Sequence, residues 1–130
     1  MTWPALFGVF FLSHLTGDFL LQTDWQAVNK EGAGAHPRAR RALARHGLTY
    51  MLAFVPALIW IAGSCGAAAT VGVAALVAFP HMVIDDGSLV AAWVRHVKGV
   101  QGTPGTVVRL GVDQSLHLLA LAAVAFLVTG

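Results

Sequence analysis

The chain has 130 residues, of which 57% are hydrophobic and only 11% charged, against about a quarter charged in soluble proteins. That balance argues against an ordinary soluble domain and for a single integral membrane domain covering residues 1–130. The net charge of +2 is too small to make nucleic acid a partner, and the lone cysteine, Cys65, allows neither an internal disulfide nor a cysteine metal site.

The first apolar run extends from Trp3 to Gln22, close to the roughly 20 residues that a bilayer crossing needs. It lacks a basic leader and continues past any small-residue cleavage point, so it reads as a retained helix and not as a signal peptide. Residues 23–36 are polar and Gly-rich and read as a loop. Pro37 suits the first turn of a helix. The basic segment PRARRALARHG then begins in water and enters the membrane near His46, with an apolar part from Leu48 to Ala62 and a kink expected at Pro56. GSCG, residues 63–66, reads as a tight uncharged turn. The third helix is expected over Ala67–Asp85, with Ala68 and Gly72 at the spacing that lets helices approach closely and a bend at Pro80. In the second long loop, residues 86–106, Leu89, Val90, Trp93, Val94 and Val97 share one helical face and predict a short interfacial helix. QGTPGT closes that loop as a turn, and the last helix runs from Val107 to Val128. The fold class predicted is an all-α, four-transmembrane-helix bundle.

Every basic residue lies in or beside one of the two long loops: Lys30, Arg38, Arg40, Arg41 and Arg45 for the first, Arg95, Lys98 and Arg109 for the second. The positive-inside rule then puts both long loops in the cytoplasm and both termini outside. Trp3 and Trp60 anchor the outer interface in this arrangement, Trp25 and Trp93 the inner one.

Within the apolar helices, ionisable residues recur at a spacing of four. His14 and Asp18 stand in HLTGDFLLQ, His81 and Asp85 in HMVID, Asp113 and His117 in DQSLH, and His46 pairs with Tyr50. Four residues is about one helical turn, so each pair shares a face. The offsets agree as well: His14 to His81, Asp18 to Asp85, His46 to Asp113 and Tyr50 to His117 are all 67 residues. This predicts a duplicated helix pair, residues 1–65 and 66–130, related by a pseudo-two-fold axis.

With alternating helix directions the pairs fall in two adjacent layers at the cytoplasmic end of the bundle. Intramembrane charge is costly and marks function by default. Imidazole and carboxylate are the donors that zinc, iron and manganese accept, and helix bundles build metal sites from such pairs on facing helices. His14, Asp18, His46, His81, Asp85, Asp113 and His117 are therefore the expected metal residues. They exceed the needs of one four-coordinate zinc, so either two ions bind or one binds and the surplus orients it. Zinc is the first choice of ion, iron or manganese the next. Asp113, Tyr50 and Gln114 are the candidates for acid–base work or substrate positioning, with Gln22 beside them.

These residues resemble a small bacterial membrane family catalogued as domain of unknown function 3307. The likeness rests on His14, Asp18, Phe19, Leu21 and Gln22, then Lys30, His46 and Tyr50, then His81, Ile84 and Asp85, and finally Asp113, Gln114 and His117. One departure is the lack of a lysine soon after HMVID, where DGSLV follows and the nearest lysine downstream is Lys98. The resemblance implies a multi-pass protein of the bacterial inner membrane. More distantly, the His/Asp set is similar to that of the membrane-bound metal-dependent hydrolases.

Three function classes are then in view. The leading expectation is a metal-dependent hydrolase acting on a lipid or amphipathic substrate at the inner leaflet, with membrane lipids and a second copy of the chain as its partners. A metal-ion or proton transporter is the alternative, although the outer halves FGVFF, ALIWI and LALAAVAFLV carry no polar residue to continue a path. The third is a bundle cemented by His–Asp hydrogen bonds, worth only about 0.6–2 kcal/mol each.

Overall fold

Proline and glycine punctuate this chain. Pro4 stands in the first turn of α1 (Trp3–Leu15) and Pro37 in that of α3 (Pro37–Ala53), where the missing N–H removes no helical hydrogen bond. The computed structural model describes residues 1–100 and 106–130, and the expected turn at 101–106 lies almost wholly outside the described residues. The remaining elements are α2 (Asp24–Asn29), α4 (Val55–Asp85), α5 (Ser88–His96) and α6 (Thr106–Thr129). The described residues form no strand.

Four details depart from the sequence expectation, each with a local cause. First, α1 does not run unbroken to Gln22. At Thr16–Leu20 it widens into a π-helical turn, closed by Leu21 N donating to Thr16 O at 3.0 Å. Second, the loop 23–36 contains α2, started by a capping box in which Thr23 Oγ1 accepts from Gln26 N and Gln26 Oε1 accepts from Thr23 N. Third, the kink expected at Pro56 falls two residues earlier, at Phe54, whose φ/ψ of −86°/−7° separates α3 from α4.

Fourth, the turn expected over 63–66 is one residue. Gly66, at φ 83° and ψ 170°, interrupts α4. A straight helix would carry the chain about 1.5 Å per residue, so Val55 and His81 would lie roughly 39 Å apart. Instead the Tyr50 ring lies 4.8 Å from Phe54 and 3.4 Å from His81. The chain therefore doubles back at Gly66, and α4 is two antiparallel legs, 55–65 and 67–85. Pro80, where a bend was expected, leaves the helical dihedrals intact.

Two helices, α4 and α6, are long and apolar enough to cross a membrane, and only 22% and 28% of their most apolar windows are buried. A soluble bundle turns such faces inward. Here Ile59, Val71, Phe79, Leu119 and Phe126 all point out. α1 and α3 fall short of that criterion: α1 keeps α-helical form for only 13 residues, and α3 starts in a basic stretch and stops at Phe54.

One apolar core fills the end of the bundle remote from the arginines, where Leu6 and Phe10 of α1 pack with Phe54, Ile61, Val73 and Leu121. A smaller cluster, Ile84, Val90, Val94 and Val112, lies at the other end. On the short helix α5, Val90 and Val94 face inward while Leu89, Trp93 and Val97 remain exposed. The polar centre sits between these two clusters.

Candidate metal centre

The π-helical turn sets the position of Asp18. Its Gly17 presses on the chain's only tyrosine: a Cβ there would stand 2.6 Å from Tyr50 Cδ2, so only glycine fits without displacing the ring. The turn reverses no direction but shifts Asp18 so that its two oxygens face different neighbours. Asp18 Oδ1 lies 3.2 Å from His46 Nε2, and Asp18 Oδ2 lies 3.5 Å from His14 Nδ1.

Four donors from three elements then converge. His46 Nε2 is 2.9 Å from Asp85 Oδ2 and 3.1 Å from His81 Nε2, and His81 Nε2 is 3.3 Å from Asp85 Oδ2 and 4.0 Å from Asp18 Oδ1. A tetrahedral ion with bonds of about 2.0–2.1 Å needs donor–donor edges of about 3.3 Å, which is the middle of this range. Two ring nitrogens 3.1 Å apart cannot both carry hydrogen toward each other, so at least one of them presents a lone pair at this point. Asp18 Oδ1 and both remaining nitrogens, His46 Nδ1 and His81 Nδ1, are buried without a hydrogen-bond partner. His46 is fully buried and His81 and Asp85 nearly so.

A second network stands beside the first. Gln114 Nε2 donates to Asp113 Oδ2 at 3.0 Å, which orients the amide so that Gln114 Oε1 accepts from His14 Nε2 at 3.0 Å. His14 Nδ1 is then left to accept from the Tyr50 hydroxyl at 3.2 Å. Both nitrogens of His14 thus have partners. His117 Nδ1 donates to the Asp113 backbone carbonyl at 3.0 Å, leaving His117 Nε2 buried, unpartnered and 3.6 Å from Asp85 Oδ1, itself unpartnered. The rings stack in two pairs: Tyr50 on His81, and His14 on His117 at 5.1 Å between centroids.

Lys30 completes the centre. Its Nζ donates to Asp85 Oδ2 at 2.8 Å from the loop after α2. The sequence places Lys30 among the residues of the family likeness but assigns it no role, and it stands 55 residues before its partner. The loop is held there by Asp86, whose backbone oxygen accepts from Gly32 N at 2.9 Å and whose Oδ1 accepts from Ala33 N at 2.6 Å. Ser88 donates to the other oxygen of Asp86. At the surface, Arg109 Nη2 donates to Glu31 Oε2 at 2.5 Å.

Counted formally, with the carboxyls ionised and the histidines neutral, Asp18, Asp85 and Asp113 against Lys30 leave an excess of two negative charges. A cavity of about 220 Å³ reaches the carboxylate side. It is lined by Asp18, Asp85, Asp113, Gln22, Gln114, Lys30 and Arg109, among others, and not by His46 or His81. Tyr50 does not line it either.

The structure thus brings together all seven residues expected as metal ligands, with Tyr50 and Gln114 between them. They form three mutually close groups: Asp18, His46, His81 and Asp85; His14, Asp18 and His117; and Asp85, Asp113 and His117. His36 and His96, assigned no function from the sequence, stay out of all three.

The class so defined is a helical protein with membrane-type apolar faces and a buried His/Asp cluster able to hold a metal ion. A family model described as protein of unknown function (DUF3307) matches residues 6–130, and the chain belongs to that family. Neither a curated protein nor a solved structure matches it.

Proposed function

We propose that the protein is a metal-dependent hydrolase of the bacterial inner membrane that cleaves a lipid or other amphipathic substrate at the cytoplasmic leaflet. The observation that carries this reading is the close approach of His46 Nε2, His81 Nε2, Asp18 Oδ1 and Asp85 Oδ2, all within 4.8 Å of one another as the corners of a ligand tetrahedron would be, beside a polar cavity. Zinc fits two imidazoles and two carboxylates best. When bound, such an ion lowers the pKa of a coordinated water and polarises a carbonyl or phosphoryl oxygen.

The chain's own groups divide the remaining work. Asp113 and Gln114 line the cavity: the Asp113 carboxylate takes the proton from the incoming water, and Gln114 orients that carboxylate through its Nε2 donation. Lys30 balances Asp85. Tyr50 and His14 act as positioning residues: the tyrosine ring fixes the plane of His81, and its hydroxyl is engaged by His14. Phe19, exposed at the cavity rim beside Leu20, marks the side from which an apolar chain arrives.

In this reading the legs α1, 37–65, 67–85 and α6 form a single domain of four crossings, with the halves 1–65 and 66–130 as duplicates. The arginines and the cavity share one end of the bundle, which supports a cytoplasmic site with both termini outside. The opposite end is a packed apolar core and offers no polar route across, which counts against transport. His117 Nε2 and Asp85 Oδ1, buried face to face without a hydrogen-bond partner, count against hydrogen bonds as the whole account of the cluster.

Elemental analysis of protein purified without a His tag should find stoichiometric zinc, lost in His81→Ala, and the zinc-loaded protein should hydrolyse a phospholipid or acyl-ester in a vesicle assay. Protein that carries no metal and takes none up on titration overturns the reading. Metal without any turnover on amphiphiles removes the hydrolase and leaves the metal site. A reporter fused at Gly130 that reads cytoplasmic moves the site to the other leaflet.

A further inference from the structure

We propose that the cavity floor holds a second divalent cation, oxygen-rich and exchangeable, between Asp85 Oδ1, His117 Nε2 and the Asp113 carboxylate. The inference rests on the reading of the enclosed site as a metal position and extends it.

The tautomer of His117 carries the argument. Its Nδ1 hydrogen goes to the Asp113 backbone carbonyl at 3.0 Å, so Nε2 holds a lone pair. That lone pair looks at Asp85 Oδ1 from 3.6 Å, and both atoms are buried and without a hydrogen-bond partner. Two acceptors facing one another out of water repel unless a cation or donor sits between them. A histidine whose far nitrogen is fixed by a carbonyl is also the usual arrangement of a metal ligand. Asp85, Asp113 and His117 can place one ligand atom each within 4.8 Å of the others.

Asp85 thereby addresses two positions. Its Oδ2 faces His46 and His81, and its Oδ1 faces His117, the arrangement of a bridging carboxylate. The two positions differ in their donor sets. Two imidazoles suit zinc, whereas one imidazole with two carboxylates suits a harder ion such as manganese or magnesium. The second position also offers three ligand groups against four at the first, so its ion is the more weakly held, while the cavity reaches both through carboxylates alone: Asp18 and Asp85 for one, Asp85 and Asp113 for the other. With both positions filled, the excess of two negative charges becomes an excess of two positive ones. Arg109 and Glu31 line the same cavity as an ion pair and leave that balance unchanged, so the fully loaded site favours an anionic group such as a phosphate.

The test is a manganese titration of zinc-loaded, detergent-solubilised full-length protein, read by electron paramagnetic resonance and by elemental analysis after desalting. The expected result is one tightly held zinc and one further, exchangeable manganese per chain. Asp113→Asn should lose the manganese and keep the zinc, and retained zinc reports an intact bundle. His117→Gln should behave the same way. Wild-type protein that holds zinc but binds no manganese overturns the second position and leaves the enclosed one standing. Asp113→Asn that binds manganese like the wild type, or that loses both ions together, also overturns it. Protein that binds neither metal overturns the enclosed position as well.

Discussion

Two ring stacks flank the carboxylates, and they are not equal. On one side Tyr50 lies flat on His81, 3.4 Å apart and 6° from parallel; on the other His14 stacks on His117 at 5.1 Å and 28°. The same offset of 67 residues carries His14 to His81 and His117 to Tyr50, so each stack is the counterpart of the other. The cross pairs correspond too, His14 with Tyr50 at 5.9 Å and His81 with His117 at 4.9 Å. What differs is the chemistry. A tyrosine ring covers His81 on one side, while the residue at the matching offset on the other is His117, buried with an unpartnered Nε2 that faces Asp85 Oδ1.

The sharpest way to break the comparison is to remove a ring from the enclosed side. His46→Ala or His81→Ala should abolish zinc retention, while Asp113→Asn should not, as measured by metal content after desalting. Zinc retention by the wild type should also weaken on acidification, because protons then compete for the ligand atoms. Equal zinc loss in all three variants would erase the distinction between the two sides.

Lys30→Met comes next. Breaking a buried ion pair from one side costs about 3–5 kcal/mol, and the loss should be largest in metal-free protein, where nothing else balances Asp85. Thermal unfolding with and without zinc measures the difference, and an identical shift in both states would mean that Lys30 and the ion do not share Asp85. The smallest effect belongs to Gly17→Ala. The added methyl meets Tyr50 Cδ2 at 2.6 Å, and overpacking of this kind costs about 1–3 kcal/mol. It should weaken zinc binding through the tilt of Tyr50 against His81, with far less effect on manganese at the cavity.

How much of this was legible beforehand depends on whether the signal was local. The paired residues were, because a spacing of four on an apolar helix fixes a common face. The positions of α5 and α6 followed from apolar patterning. The π-helical turn was not legible: an i→i+5 bond leaves no mark on hydrophobic periodicity, and only the close fit of Gly17 to Tyr50 gives its reason. α2 was missed although Thr23 and Gln26 spell a capping box, because the polar, Gly-rich composition around them dominated the reading. Lys30 was quoted and left without a role, since nothing within its own loop tells where a long flexible side chain will end. The break at Phe54 fell before Pro56 for a related reason: proline forbids a hydrogen bond to the preceding turn, and the chain yields where that turn is free to open.

The one-residue reversal at Gly66 also gives the molecule a built-in compass. Cys65, the only cysteine in the chain, is exposed beside it, at the end opposite the arginines. A thiol reagent that does not cross bilayers should therefore label intact cells at Cys65 alone, with no engineered tag. A reagent that reacts only after the cells are opened would turn the protein, its cavity and its substrate's leaflet around together.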